Sequence, residues 1–288
     1  MRRIVVLLQI GLLSLLIGCG ERQPSPEVVA QVEAQPSAPT EDFGTTNVQE
    51  RAEEDVLETR MAYGEKGMVV SVHPIATQVG LDVLKRGGNA IDAAVAMGLT
   101  LGVVDSHNSG IGGGCFILIR RANGAYNAID GRETAPAAAT RDMYIRNGKA
   151  DPELSQTGPL AIATPGALHA YDTAVRKFGK TKLSEHLLTA AKIAEDGFPV
   201  NGSFATVNRH TAEKLAKFED SRRIFLRDGR PLKAGDILKQ PDLAKTYRNI
   251  ASEGIGYFYG GPFAQVTEEW MKKNGGILTA SDFKNYSS

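Results

Sequence analysis

The chain has 288 residues, with 33 Lys and Arg against 33 Asp and Glu, so its formal charge is zero. A neutral chain carries no overall field toward a phosphate backbone, and no long run of Lys or Arg supplies a local one, which excludes nucleic-acid binding as a class. The length suits one large domain or two small ones, and 42% apolar residues suffice for a core.

The N-terminus has the parts of an export signal. Arg2-Arg3 precede an apolar stretch from Ile4 to Ile17, which is short of the roughly 20 residues a membrane-spanning helix needs. The quartet Leu16-Ile17-Gly18-Cys19 follows. It resembles a bacterial lipobox, which implies that Cys19 is the lipid-bearing first residue of an exported protein. Gly20 rather than Asp implies the periplasmic side of the outer membrane. An ordinary signal peptide with a chance Cys is the alternative. The only other cysteine is Cys115, so an acylated Cys19 leaves it without a disulfide partner. Cys115 opens an apolar run and reads as a small buried hydrophobe rather than a nucleophile. The histidines show no metal-ligand spacing.

Residues 20–66 are rich in Pro, Gln, Glu, Ser and Thr, too polar to bury a core, and read as a disordered tether between the signal (1–19) and the folded part (67–288). Met68–His73 reads as an apolar strand. Pro74 then opens a helix whose Ile75, Val79 and Val83 share a face, ended by Gly87-Gly88. Asn89 is an N-cap with Asp92 three residues on. The helix that it starts, Ala90–Val104, is apolar nearly all round and so belongs in a core.

Next comes Asp105-Ser106-His107-Asn108-Ser109-Gly110-Ile111-Gly112-Gly113-Gly114, and then two β-like runs, Cys115–Ile119 and Ala125–Ile129, joined through Asn123-Gly124 as a hairpin. The glycines do not make a phosphate loop, because Cys115-Phe116 stand where Lys-Ser/Thr is required. Nor do they make a dinucleotide fingerprint, since they follow a helix and precede a strand. They permit close backbone approach. His107 and Ser109 are too near in sequence to define a catalytic triad, and no nucleophile-elbow motif is present. The second run ends in Asp130-Gly131-Arg132-Glu133-Thr134-Ala135-Pro136, which places Arg132 on the loop leaving a strand.

Downstream, the sequence predicts a short helix at Thr140–Asn147, a loop over 148–162, and a helix opened by Thr164-Pro165-Gly166 that stops at Gly179. A further helix, Leu183–Asp196, stops at Gly197. His169 and His186 fall inside these helices, where a structural role is expected. Residues 200–240 read as polar and mixed, with a turn at Asp228-Gly229-Arg230-Pro231. Helices follow at Asp242–Ser252 and Phe263–Lys273, broken by Gly254–Pro262.

Six segments in order resemble the γ-glutamyltransferase (glutathione hydrolase) family: G-G-N-A-I-D-A-A-V-A at 87–96, S-G-I-G-G-G at 109–114, D-G-R-E-T-A-P at 130–136, T-P-G at 164–166, A-E-D-G-F at 194–198 and D-F-K-N-Y at 282–286. The resemblance covers residues 67–288. Cys115 stands where many relatives have glycine, and Thr164 where many have valine. It implies an α+β fold of the Ntn-hydrolase type, an αββα sandwich of two sheets between helix layers. It also implies a precursor that cuts itself into a large and a small subunit, with the new N-terminal Thr of the small subunit as nucleophile and its own α-amine as base. The γ-glutamyl group of glutathione passes to that Thr and then to water, an amino acid or a peptide, with no metal or organic cofactor.

The same resemblance assigns Arg132 to the α-carboxylate of the γ-glutamyl group. The chemistry agrees, because a guanidinium fork meets a carboxylate with two parallel hydrogen bonds. Position alone favours an ordinary salt-bridged loop Arg. Glu133 is given no part beyond orienting Arg132. On the family pattern this chain is expected to hold only the N-terminal part of the large subunit, without the nucleophile, and so to be inactive and aggregation-prone alone. Two alternatives stand beside this: a non-catalytic lipoprotein that binds γ-glutamyl compounds, and a related cephalosporin-acylase-type amidase.

Overall fold

A computed structural model describes residues 6–7 and 62–288. Contacts group Met1–Ile10 with Gly67–Ser288 and leave Gly11–Lys66 as a second unit. Cys19 and nearly all of the signal and tether segments lie outside the described residues. Of the apolar N-terminal stretch, Val6–Leu7 is described as a two-residue strand, β1, antiparallel to Leu118–Ile119.

The first unit is built on one buried helix. α1 spans Pro74–Lys85 and α2 spans Ala90–Val104. At α2 the expected N-cap forms: Asn89 Oδ1 accepts from the amides of Ile91 and Asp92, and Asp92 Oδ2 accepts from Asn89 N at 2.8 Å. Its small residues let neighbours come close. A Cβ on Gly98 would meet the Tyr171 hydroxyl at 2.6 Å, and one on Gly102 would meet that of Tyr247 at 2.9 Å. Tyr247 donates to Leu99 O, and Gln240 Nε2 donates to Val103 O, so the polar groups brought against α2 are satisfied.

The hairpin forms as expected: β2, Cys115–Arg120, pairs antiparallel with β3, Tyr126–Gly131, through a turn in which Gly124 has φ +89°. Ile117, Ile119 and Ile129 face the core, while Phe116 and Leu118 stay half-exposed. Two short strands, β4 (Ile145–Arg146) and β5 (Lys149–Ala150), precede a single-turn helix α3 (Pro152–Gln156). α4 covers Ala167–Phe178 and α5 Leu183–Asp196, each stopping at the expected glycine. β6 (Phe198–Pro199), α6 (Gly202–Ala216), α7 (Glu219–Phe225), β7 (Leu226–Arg227), β8 (Arg230–Pro231) and β9 (Ile237–Leu238) follow. The chain then runs through α8 (Pro241–Glu253), α9 (Gly256–Tyr259), α10 (Pro262–Asn274) and α11 (Ala280–Lys284). α1, α4 and α5 pack on α2, α8 packs on α5, and α4 also covers β2 and β3. The fold class is α+β; among the described residues the largest sheet is β1-β2-β3.

Several expectations fail for physical reasons. Met68–His73 is not a strand: it has no ladder partner among the described residues, and Met68, Val70 and Val72 are exposed. Its last residue caps α1 instead, with His73 Nδ1 accepting from Ile75 N. Thr140–Asn147 is not a helix, because Asn147 (φ +51°) and Gly148 (φ +74°) make the tight turn between β4 and β5. That Asn-Gly pair is itself a hairpin signal. Residues 148–162 contain α3 and a 3₁₀ turn at Pro159–Ala161 rather than a plain loop. Pro165 is not the first helical residue: Thr164 is bridged to Thr134, and α4 begins after Gly166. The mixed 200–240 stretch holds α6 and α7. Only Phe204 and Asn208 of α6 are buried, so its periodicity is faint, and Asn208 serves as a polar staple to Phe225 O and Leu232 N.

α2 is also tied down electrostatically. Burial alone would raise the Asp92 carboxyl, but donors from Asn89, Thr181 and Lys180 outweigh it and hold the group below the usual range. Thr181 Oγ1 gives its proton to Asp92 Oδ1 at 2.8 Å, so His186 Nε2, 2.8 Å from that hydroxyl, must be the donor to it. Burial lowers the His186 pKa, against the pull of Asp92, and the ring is neutral at pH 7. Asp92→Asn therefore removes an acceptor for several buried donors. It is expected to cost about 3 kcal/mol, lowering Tm by roughly 6–12 °C in calorimetry at pH 7. Both shifts lower the folded-state pKa. Stability should thus be full above pH 6.5 and fall on acidification, first as the unfolded His186 takes up a proton and then as Asp92 does.

Candidate functional site

The loop carrying Arg132 is fixed by backbone contacts made where side chains are missing. β3 ends at Gly131, where a Cβ would lie 2.5 Å from that of Ala170 on α4. The amides of Gly166 and Ala167, at the start of α4, both donate to Gly113 O at 3.0 Å, docking the glycine turn on the helix end. Thr134 and Thr164 exchange both backbone hydrogen bonds, at 3.2 and 2.8 Å, which holds the far side of the loop. A Cβ on Gly114 would meet Gly131 O at 2.6 Å and Glu133 Oε2 at 2.7 Å, so the Glu133 carboxylate lies over the bare backbone of this turn.

Arg132 itself has both peptide groups engaged. Its N–H donates to Asp130 Oδ1 at 2.9 Å, and its C=O accepts the Tyr286 hydroxyl at 2.7 Å. Its side chain is 55% exposed, and Nη1 lies 2.9 Å from Glu133 Oε2. Glu133 Oε2 is buried and receives no well-aligned hydrogen bond. A half-exposed pair of this kind contributes little, on the order of 1 kcal/mol or less. A ligand carboxylate offering two parallel hydrogen bonds can take over the guanidinium.

Beneath the loop lies an aromatic floor. Tyr286 stacks on Tyr259 with ring centres 5.8 Å apart and planes 16° apart, and His169 meets both rings edge-on. Tyr259 donates to Pro165 O and accepts from His169 N. His169 Nδ1 accepts from Ser288 N at 3.2 Å, leaving the ring proton on Nε2, and burial lowers its pKa against the pull of Asp172. Burial, aided by Asp130, pushes the Tyr286 hydroxyl up to about 12, so it stays a proton donor at neutral pH. Asp282 in α11 accepts from Ala137 N at 2.8 Å, and Tyr286 lies two residues past the end of that helix, so the two ends of the D-F-K-N-Y motif grip the two ends of the Arg132 loop. Neither these contacts nor the placement of Tyr259 and His169 is written locally in the sequence.

The other candidates separate from this site. Burial and the nearby Glu133 push the Cys115 thiol up to about 12, which keeps it an un-ionised thiol at neutral pH. His107 Nε2 pairs with Asp105 at 3.3 Å, while His107 Nδ1 and Ser109 Oγ are each without a hydrogen-bond partner. No nucleophile–base bond joins them. His107 lines a small cavity of about 100 Å³ with Phe204, Leu215 and Phe225 that includes neither Arg132 nor Glu133. Among the described residues no group of three or more His, Cys, Asp or Glu side chains is placed to hold a metal ion.

The described residues thus form an α+β scaffold that presents a half-exposed loop guanidinium, on a backbone held at both peptide groups, beside a glycine turn. The family model described as gamma-glutamyltranspeptidase matches residues 76–288. A glutathione hydrolase proenzyme of Escherichia coli is 43% identical over 257 residues, 88% of this chain and 43% of that relative. An acylase proenzyme from a Pseudomonas species is 37% identical over 244 residues, 82% of this chain and 44% of that relative. The crystal structure of Helicobacter pylori γ-glutamyltranspeptidase matches with a TM-score of 0.77 at 39% identity, covering 79% of this chain and 66% of that one. The chain therefore belongs to the γ-glutamyltranspeptidase family of enzymes, and its fold is of their Ntn-hydrolase type. It spans less than half the length of these two curated relatives.

Gly166→Ala tests the packing under the site, since the new Cβ would run into the Tyr286 hydroxyl and Gly131 O. Neither the backbone oxygen nor the stacked ring can yield cheaply. The expected loss is about 2–4 kcal/mol, read as a fall in Tm, whereas Gly112→Ala, which meets nothing within 4 Å, should stay near wild type.

Proposed function

We propose that the protein is a γ-glutamyltransferase acting on glutathione and related γ-glutamyl amides, and that this chain supplies recognition of the γ-glutamyl carboxylate through Arg132. The observation that carries the reading is a half-exposed guanidinium whose backbone is held at both peptide groups. Its existing ion pair with Glu133 is weak enough to be exchanged for a ligand carboxylate. Fixing that carboxylate sets the distance to the γ-carbonyl, where positioning alone lowers the barrier.

The covalent step is assigned, on the family resemblance, to a threonine in the length of these relatives that the chain does not span. Its hydroxyl adds to the γ-carbonyl carbon, the Cys-Gly amine leaves with a proton, and water or an acceptor amine then opens the resulting ester. A small subunit carrying that threonine is the corresponding partner. Relatedness to the acylase, with a structural likeness to a cephalosporin acylase of Bacillus halodurans (TM-score 0.67 at 27% identity), favours a second reading, an amidase for cephalosporin side chains. Glutamate release from glutathione, compared with release from such an amide, separates the two. Binding of γ-glutamyl compounds without turnover would instead favour a non-catalytic binder.

Arg132→Lys in the active protein keeps the charge and loses the fork. KM for glutathione is expected to rise at least tenfold with kcat changing less. An unchanged KM would remove Arg132 from the site.

The N-terminal signature supports a further part of the proposal: export, lipidation at Cys19, and attachment to the periplasmic face of the outer membrane, with residues 20–66 as the spacer. Cys19→Ala should move the protein from the membrane fraction to the soluble one and abolish labelling by a fatty acid. Unaltered fractionation would rule the anchor out.

A further inference from the structure

We propose that Tyr286 is a positioning residue for Arg132, setting the height of the guanidinium through the hydrogen bond from its hydroxyl to the Arg132 carbonyl. The inference rests on the carboxylate-binding reading of Arg132 and deepens it.

Three observations carry it. The hydroxyl donates to Arg132 O at 2.7 Å across 154 positions of sequence, and it reaches that oxygen only because Gly166 has no Cβ in the way. The ring cannot easily move aside, being 8% exposed, stacked on Tyr259 and edged by His169, while Tyr259 is tied to Pro165 O and His169 N. A few residues before it, Asp282 in α11 is fixed to the same loop through Ala137 N. α11 and the residues just after it are thus a two-point clasp on residues 132–137, one point at the first residue and one at the last. Among the described residues the Arg132 guanidinium has one ion-pair partner, Glu133, and its side chain is more than half exposed. The location of its guanidinium is inherited from its backbone, and the backbone from Tyr286 and Asp130.

A shift of about 1 Å in a positioning group can lower turnover by up to a hundredfold. Tyr286→Phe retains the stacked ring and removes the donor alone. In the full-length active protein, glutathione KM should rise about tenfold while kcat stays within about threefold and Tm within a few degrees. A merely structural tyrosine would give the opposite pattern, a fall in Tm with KM and kcat lost together or unmoved. The decisive readout is a double-mutant cycle with Arg132→Lys. If Tyr286 acts through the Arg132 fork, Tyr286→Phe should add less than a twofold change in KM to the Lys variant.

Equal effects of Tyr286→Phe in both backgrounds would overturn the proposal, as would a wild-type KM in the single variant or loss of its cooperative unfolding. These results would leave the role of Arg132 standing if Arg132→Lys raises KM as expected. A normal KM for Arg132→Lys would instead overturn both readings at once.

Discussion

The site depends on three lengths of backbone meeting with no side chain between them. The glycine turn at 113–114, the end of β3 at Gly131 and the start of α4 at Gly166 approach so closely that a methyl group at Gly114, Gly131 or Gly166 would strike a neighbour's atoms. Such a crossing is stable only if its backbone polar groups are paired, and the ones that cross are: Gly113 O takes two amides from the start of α4, and the backbones of Thr134 and Thr164 satisfy one another. The helix end gains an acceptor for donors that no helix satisfies internally. What results is a loop whose path leaves little freedom, on which a long flexible side chain becomes a directed one.

That crossing is in turn held by α2, which touches no candidate ligand group itself. Gly102 lies 3.1 Å from Gly110 when extended by a Cβ, so the helix end and the glycine turn are in direct apposition. The Asp92–Thr181–His186 network fastens the other end of α2 to the α4–α5 connection. The two ends of one apolar helix therefore fix both the turn that receives Glu133 and the helix that receives Gly131.

How much of this was legible in the chain follows from how local each signal is. α2, its Asn89 cap, the β2–β3 hairpin and the glycine stops of α4 and α5 are written within a few neighbouring residues, and they appear where expected. The failures are non-local or masked. Met68–His73 has the apolar, Val-rich composition of a strand, but pairing is not a property of the segment, and no partner lies among the described residues. α6 buries only Phe204 and Asn208, too little apolar surface to show a period, and one of the two anchors is polar. Arg132 was identified by motif and type. Its support by Tyr286, 154 positions away, leaves no trace in either segment read alone.

Glu133 marks where the chemistry and the packing meet. Its carboxylate lies over Gly114, where a Cβ would stand 2.7 Å from Oε2, and Oε2 lies 2.9 Å from the Arg132 guanidinium while gaining no aligned hydrogen bond. A fully satisfied Glu133 would hold the guanidinium as a structural pair, the alternative that position alone favoured. A poorly satisfied one leaves the guanidinium available to the proposed ligand carboxylate, whose advantage would lie in alignment rather than charge, since both carboxylates carry the same charge and only the ligand would approach along the fork. Loop rigidity and the proposed exchange are then compatible: the backbone of residue 132 is held from behind by Tyr286, and the guanidinium is held in front by a weak pair with Glu133.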